Sequence, residues 1–330
     1  MPPSEPDNAR YWKRSPEFEA FLASADLSRF DELHTMSLDE TRKHMEKLDV
    51  STASPMPKVK SEDKVIKARD GKDIPIRIWK TTSPKTPEAP PLAVIYHGGG
   101  WIYGGLNTEP GFVSTLVGEL GLTAITVDYR LAPENPFPGS FNDSYDALQW
   151  ARHSAGSIGA DPSRIYVAGA SAGANLAAAV TLEAKKNDQL KGVLGQVLVV
   201  PATCHYKHYS HSKYALHSID KFAGAPLLST EMMKGMWDAY YSLAKPDPRV
   251  SPLLGADHLG LPPTYIQVAG ADPLCDEGIA YANCLRAAAV KVKLDIYPGL
   301  PHGSQTALLG MPQREKYLTD LMGAMEWFKE

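Results

Sequence analysis

The sequence predicts an α/β fold: a mostly parallel sheet with helices on both faces and a helical cap over one edge. Three observations carry this. Short apolar runs without strict alternation recur along the chain, among them LAVIYH (92–97), TAITVD (123–128), RIYVAG (164–169) and TYIQVAG (264–270). Strands buried on both faces read this way. Helical stretches separate them, as in βαβ units, and 330 residues suffice for one large core with an attached cap.

Taken in order, residues 16–49 read as a helical arm, with Phe18, Phe21 and Leu22, then Met36 and Leu38 ahead of the charged DETRKHMEKL. KVIKA (64–68) and IPIRIWK (74–80) are strands joined through Asp70-Gly71, a hairpin signal. TTSPKTPEAPP (81–91) reads as a surface loop rather than a domain linker, because the next strand continues the same series. Helices are expected over 141–155, 174–186, 278–289 and 315–329, and further strands over 193–202 and 292–298. The interval 203–262 breaks this rhythm and holds one clear helix, TEMMKGMWDAYYSL (230–243). The expected boundaries are cap helices over 1–55, a first part of the core over 56–204, a cap insertion over 205–250 and a second part of the core over 251–330.

Composition narrows the function. With 43% hydrophobic and 22% charged residues and a net charge of −4, the chain has an ordinary soluble composition and no attraction for nucleic acid or anionic membrane. No run approaches the roughly 18 apolar residues of a membrane span, and the first residues lack the apolar stretch of a signal peptide. Three cysteines, Cys204, Cys275 and Cys284, are an odd number. They read as reduced thiols in a cytoplasmic protein.

The chemistry centres on RIYVAG-ASAGANLAAAV, a strand, a sharp turn and a helix. At the corner Gly169-Ala170-Ser171-Ala172-Gly173 forms GxSxG, which holds a serine hydroxyl clear of the sheet. A serine on such a turn is followed in sequence first by its acid and then by its histidine. Asp272 stands just past the strand TYIQVAG, and His302 is the one histidine C-terminal to it. Asp276 and Glu277 are rival acids, read more simply as first-turn charges on a helix dipole. The expected triad is Ser171, Asp272 and His302, with His302 taking the serine proton and Asp272 fixing the imidazole.

The run His97-Gly98-Gly99-Gly100-Trp101 removes every side chain at the end of a buried strand. It fits neither GxGxxG, since Tyr103 stands where the third glycine would be, nor a phosphate loop. A tetrahedral oxyanion needs open backbone N–H donors, which glycines supply. Gly99 and Gly100 are the first choices, then Gly98, with Ala172 as the donor after the nucleophile. His97 precedes the serine and is assigned to orienting the loop.

HGGGW at 97–101, DYRLAPENPFP at 128–138, GASAG at 169–173, DPLCDEG at 272–278 and PHG at 301–303 together resemble the hormone-sensitive-lipase-like esterases of the α/β-hydrolase superfamily, over about residues 60–330. The resemblance implies an eight-stranded sheet, its second strand antiparallel, under a helical cap. It assigns Ser171, Asp272 and His302 as the triad and Gly99, Gly100 and Ala172 as the oxyanion hole. It also implies a structural charge network of Asp128, Arg130 and Glu134, and pairing of copies as a homodimer through edge strands or C-terminal helices. Two departures stand near the pocket: Cys275 in a slot often filled by arginine, and Ser304 where an aromatic is frequent.

The stretch CHYKHYSHSKYALHS holds Cys204, His205, His208, His211 and His217, without the spacing of a zinc site. No metal or cofactor is expected. Trp101, Tyr103, His205, Tyr206, Phe222 and Trp237 are expected to line the substrate pocket, with Met232, Met233 and Met236 as apolar wall. The function expected is serine carboxylic-ester hydrolysis through an acyl-enzyme, on short- to medium-chain or small-molecule esters, with water as second substrate. Deacetylase, transacylase and dehydratase chemistry on the same fold stay open. A non-catalytic ligand receptor is disfavoured by the presence of His302.

Overall fold

The computed structural model describes residues 7–14, 16–24, 36–51, 56–304 and 312–328. Among them one eight-stranded sheet contains β1 (Val59–Lys67), β2 (Asp73–Thr81), β3 (Leu92–Tyr96), β4 (Thr123–Val127), β5 (Ile165–Ala170), β6 (Val193–Val199), β7 (Thr264–Ala269) and β8 (Val292–Tyr297). The spatial order is β1-β2-β4-β3-β5-β6-β7-β8. Strand β2 is antiparallel to both neighbours and all later pairs are parallel. The eight strands and the antiparallel second strand agree with expectation.

Local sequence explains the strands. Strands β4 and β7 are buried along their whole length and are mostly apolar, with Thr123, Thr126, Thr264 and Gln267 as their polar members. Strand β2 alternates, turning Ile74, Ile76 and Ile78 inward. Edge strand β1 is largely exposed and charged, which discourages pairing with another sheet. The segment 81–91 is a mostly exposed loop between strands of the same sheet, as expected.

Helices α1 (Pro16–Ser24), α2 (Leu38–Ser51), α3 (Pro110–Leu120), α4 (Gly139–Ser154), α5 (Ala172–Lys186), α6 (Thr230–Tyr241), α7 (Cys275–Ala287) and α8 (Pro312–Trp327) surround the sheet. Successive side chains of a strand point to opposite faces, and β5 divides accordingly. Ile165 and Val167 join a large cluster with Leu148 of α4, Leu176 of α5 and Leu285 of α7. Ala168 and Ala170 face a smaller cluster with Phe112 and Leu116 of α3 and Leu321 of α8. The small side chains of α5 let this helix lie close on β5.

Three differences from expectation are physical. Helix α3 was not expected, because Gly111 and Gly118 interrupt its apolar pattern. Its marks are Pro110 at the first turn and Gly121 in left-handed conformation (φ 66°) at the end. Helices α5 and α7 begin two or three residues earlier than their apolar periodicity suggests. The interval after β6 adds single helical turns at Tyr206–His208, His211–Tyr214 and Ser218–Lys221. The expected helical arm over 16–49 is α1 and α2 where described; its residues 25–35, like residue 329 of the expected last helix, lie outside the described residues. None of the described helices is long and apolar enough to cross a membrane.

Register positions the site. Tyr96 is level with Gly169, Ala170 with Val199, and Ala269 with Tyr297. The carboxyl ends of β3, β5, β7 and β8 therefore open onto one edge, where the loops holding His97, Ser171, Asp272 and His302 emerge.

Candidate active site

Ser171 is the N-cap of α5, with φ 55° and ψ −117°. A serine in this region carries roughly 1–3 kcal/mol of strain, which its surroundings must hold. The Ser171 N–H donates to Val199 O (2.8 Å), and Ser171 O accepts from the Asn175 N–H (3.0 Å). The two glycines of the motif are needed for space. A Cβ on Gly169 would lie 2.3 Å from the Gly173 backbone, and one on Gly173 would lie 2.0 Å from Tyr96 O. Strand, turn and helix approach so closely here that any side chain would part them.

His302 and Asp272 meet this serine from two loops. The Gly270 N–H donates to Tyr297 O and the Ala271 N–H to Leu300 O, both at 2.9 Å, so the acid-bearing and histidine-bearing loops are stitched together. Asp272 is buried, and its Oδ1 accepts from the Leu274 N–H (2.9 Å). Its Oδ2 lies 2.7 Å from His302 Nδ1, and His302 Nε2 lies 2.9 Å from Ser171 Oγ. A carboxylate can only accept, so Nδ1 carries the proton and Nε2 accepts from the serine hydroxyl. The three side chains form one hydrogen-bonded row across 131 residues of sequence.

The glycine loop lies alongside. A Cβ on Gly98 would be 3.7 Å from Ser171 Cβ. Gly99 and Gly100 adopt φ 113° and 58°, and Trp101 follows at φ 62°. The N–H groups of Ile102 and Tyr103 both donate to Gly99 O (3.0 and 3.1 Å). Ala172 opens α5, so its N–H has no acceptor within the helix. His97 is buried and stacks on Tyr129 with ring centroids 4.1 Å apart. Its Nδ1 donates to Gly98 O (2.7 Å), and Tyr129 Oη donates to His97 O (2.8 Å). Burial pushes His97 down to about 4, which keeps it neutral and able to hold the loop.

The rival acids are occupied elsewhere. Asp276 Oδ2 accepts from the N–H groups of His217 and Ser218 (both 2.8 Å), and its Oδ1 accepts from Asn8 Nδ2 (3.0 Å). Glu277 accepts from the Thr203 and Cys204 N–H groups, and burial raises it well above the ordinary carboxylate range. The expected single network of Asp128, Arg130 and Glu134 is split. Arg130 grips buried Asp143 through Nε (2.8 Å) and Nη2 (2.6 Å), and reaches Asp70 with Nη1. Glu134 instead pairs with Arg42 of α2. Asp128 sits under Gly105 and is pushed up to about 6 by burial, with Asp143 adding repulsion.

The expected pocket wall is corrected in part. Trp101 stacks flat on Tyr240 (4.5 Å, 6°) and lies 4.3 Å from Trp237. Trp101 and Trp237 expose 2% and 0% of their surface, so they pack the core rather than face a ligand. His205 is likewise buried, 5.1 Å from Trp237, and Phe222 sits edge-on to Trp12 behind Ala271. Tyr206 turns its hydroxyl to Asp238. Tyr103 stays half-buried beside Gly99. Among the described residues no three metal-ligating side chains converge. The three cysteines are unpaired; Cys275 is buried behind the acid loop, and Ser304 is buried as well.

Some positioning groups were missed from sequence. Asn175 donates from Nδ2 to Ala202 O (2.7 Å) and Val250 O (2.8 Å), tying α5 to the exit of β6. A lone amide in a run of alanines was its signal. Arg42 and the turn Asp7–Tyr11 gave none. Tyr11 O accepts from the Gly299 N–H (2.9 Å), bracing the histidine loop from the other end of the chain.

Known proteins share this arrangement of fold and sequence. A family model described as alpha/beta hydrolase fold matches residues 93–306. The carboxylesterase NlhH of Mycobacterium tuberculosis is 35% identical over 78% of this chain and 79% of its own length. The arylesterase of Saccharolobus solfataricus is 32% identical over 94% of this chain and 97% of its own. The solved structure of a bacterial heroin esterase matches at TM-score 0.84 and 29% identity, covering 96% of this chain and 98% of that one. The chain belongs to the α/β-hydrolase family, in its hormone-sensitive-lipase-like esterase branch.

Proposed function

We propose that this protein hydrolyses carboxylic esters through an acyl-enzyme on Ser171. The observation that carries the reading is the row Ser171 Oγ, His302 and Asp272, bonded at 2.9 and 2.7 Å. His302 Nε2 takes the hydroxyl proton as Oγ attacks the ester carbonyl. Asp272 holds the imidazole in its Nδ1–H tautomer and stabilises the imidazolium. The N–H groups of Gly99, Gly100 and Ala172, with Gly98 beside the nucleophile, receive the oxyanion; each such donor is worth about 10²–10³ in turnover. His302 then protonates the departing alcohol and, in the second half, activates water.

The described residues within 1–55, together with 205–250, act as the cap and limit what enters. Relatives named arylesterase, heroin esterase and carboxylesterase support a short- to medium-chain or small-molecule ester as substrate. The three unpaired thiols support a cytoplasmic setting.

The test is Ser171→Ala with p-nitrophenyl butyrate. Turnover should fall by at least about 10⁴-fold while the circular dichroism spectrum and melting temperature hold. Retained turnover in the purified variant would rule out the acyl-enzyme.

A further inference from the structure

We infer that Arg42, on the N-terminal helix α2, is a positioning residue for the oxyanion loop. The inference rests on the reading of Gly99 and Gly100 as oxyanion donors. Arg42 lies more than fifty residues upstream of the HGGG run, yet its guanidinium closes on that loop. Its Nε donates to Ile102 O (2.7 Å) and its Nη2 to Ala132 O (2.9 Å). Nη1 and Nη2 each reach a Glu134 carboxylate oxygen at 2.8 Å. The Ala132 N–H in turn donates to Trp101 O (2.9 Å). One planar fork therefore ties both strands of a backbone crossing whose first strand is the end of the oxyanion loop.

The coupling to the glycines runs through peptide planes. The Tyr103 N–H donates to Gly99 O (3.1 Å), as the Ile102 N–H does, and Arg42 holds the Ile102 carbonyl that shares a peptide unit with the Tyr103 N–H. Gly99 C=O and Gly100 N–H belong to one trans peptide unit, so they point in opposite directions. Fixing the Gly99 carbonyl toward Ile102 fixes where the Gly100 N–H points. Glycine supplies little intrinsic preference at this peptide, and both flanking φ values are positive. The direction of the donor has to be imposed from outside.

The loop has other anchors, and they make the role separable from folding. The Trp101 ring stays clamped between Trp237 and Tyr240. His97 stays bonded to Gly98 O and stacked on Tyr129. Removing the Arg42 fork should leave the fold intact while releasing the Ile102 end. A lysine at 42 cannot replace it, because a single ammonium cannot hold two carbonyls and a carboxylate in one plane.

The experiment compares wild type, Arg42→Ala, Arg42→Lys and Arg42→Gln. It measures kcat and KM for p-nitrophenyl butyrate, inhibition by an aliphatic trifluoromethyl ketone, and labelling by an organophosphonate. The ketone accepts Ser171 Oγ at its carbonyl carbon, the serine proton passes to His302, and the carbonyl oxygen becomes the oxyanion. Arg42→Ala should lose about 10-fold in kcat or more, with KM within about twofold. Its ketone affinity should fall by the same factor, and Arg42→Lys should match it. Arg42→Gln can still donate to Ile102 O, so it should recover part of both; it also serves if Arg42→Ala does not fold.

An unchanged kcat, a rise in KM alone, or a lower melting temperature with wild-type turnover would each overturn the role of Arg42. If wild type itself takes no phosphonate on Ser171, the underlying esterase reading fails instead. Labelled wild type beside a fully active Arg42→Ala removes the fork alone.

Discussion

The serine turn and the glycine loop lie side by side at the sheet edge, yet they are held in different ways. Ser171 is fixed by its own strand, its own helix and the backbone of the adjacent strands, through contacts that a Cβ on Gly169 or Gly173 would destroy. The loop from His97 to Gly104 is fixed by side chains from far away: Arg42 of the arm, Met236, Trp237 and Tyr240 of the insertion, and Tyr129 after β4. Backbone against backbone gives a rigid turn that tolerates no change. Side chain against backbone gives a loop that can yield at one contact and keep the others.

The sharpest way to break this comparison is a methyl group in each region. Gly173→Ala places a Cβ 2.0 Å from Tyr96 O and 2.5 Å from His97 O, where neither backbone can move alone. It should cost more than about 3 kcal/mol in urea unfolding or leave no soluble protein. In Gly100→Ala the Cβ meets Met236 Sδ at 2.2 Å and Cγ at 2.6 Å, a side chain that can move while its backbone stays, at a left-handed φ of 58°. That variant should fold with a loss of about 1–3 kcal/mol. Equal costs at the two positions would mean that the two regions are held alike.

Asp128, beside Gly105 at the end of the glycine loop, sharpens the comparison through pH. Its folded value near 6 lies above its ordinary 3.8, so the native state keeps a proton that the unfolded chain releases. The resulting contribution is present below about pH 4 and lost as pH rises through 6. Asp128→Asn should therefore stabilise the protein by about 1–3 kcal/mol at pH 8 and hardly at all at pH 4. The same gain at both pH values would show that the carboxyl is not held protonated.

The smallest effect is expected in the segment after β6. Tyr206→Phe removes a hydroxyl that meets Asp238 near the surface. It should shift stability by less than about 1 kcal/mol and leave KM unchanged. A severalfold rise in KM would restore Tyr206 to the substrate pocket.

The two regions also differed in how far the sequence revealed them. Strand β5, the GxSxG turn and the small-residue start of α5 are consecutive, so the proposed nucleophile could be read from one stretch of about twenty residues. Asp272 and His302 followed from chain order and from their places just beyond strands. The HGGG run announced an open backbone but not what holds it, because Arg42 looks like any other charge in DETRKHMEKL. Trp101 and Trp237 were misplaced for a related reason. An aromatic near a site has the same sequence signature whether it faces the ligand or its neighbours, and the flat stack on Tyr240 decides between them. Helix α3 escaped because glycines inside it mask its periodicity, although Val113 and Val117 are buried against the sheet.

Periodicity, turn chemistry and motif order are properties of neighbouring residues, and they sufficed to predict the mostly parallel sheet, the serine turn and its candidate partners; the antiparallel second strand came only with the family resemblance. Which acid of three meets the histidine, which arginine reaches the glycine loop and which aromatics are core rather than wall depend on distances across 30 to about 140 residues of chain. Those distances arise only when the strand registers close and the arm and insertion pack down, so the tertiary structure alone decided them.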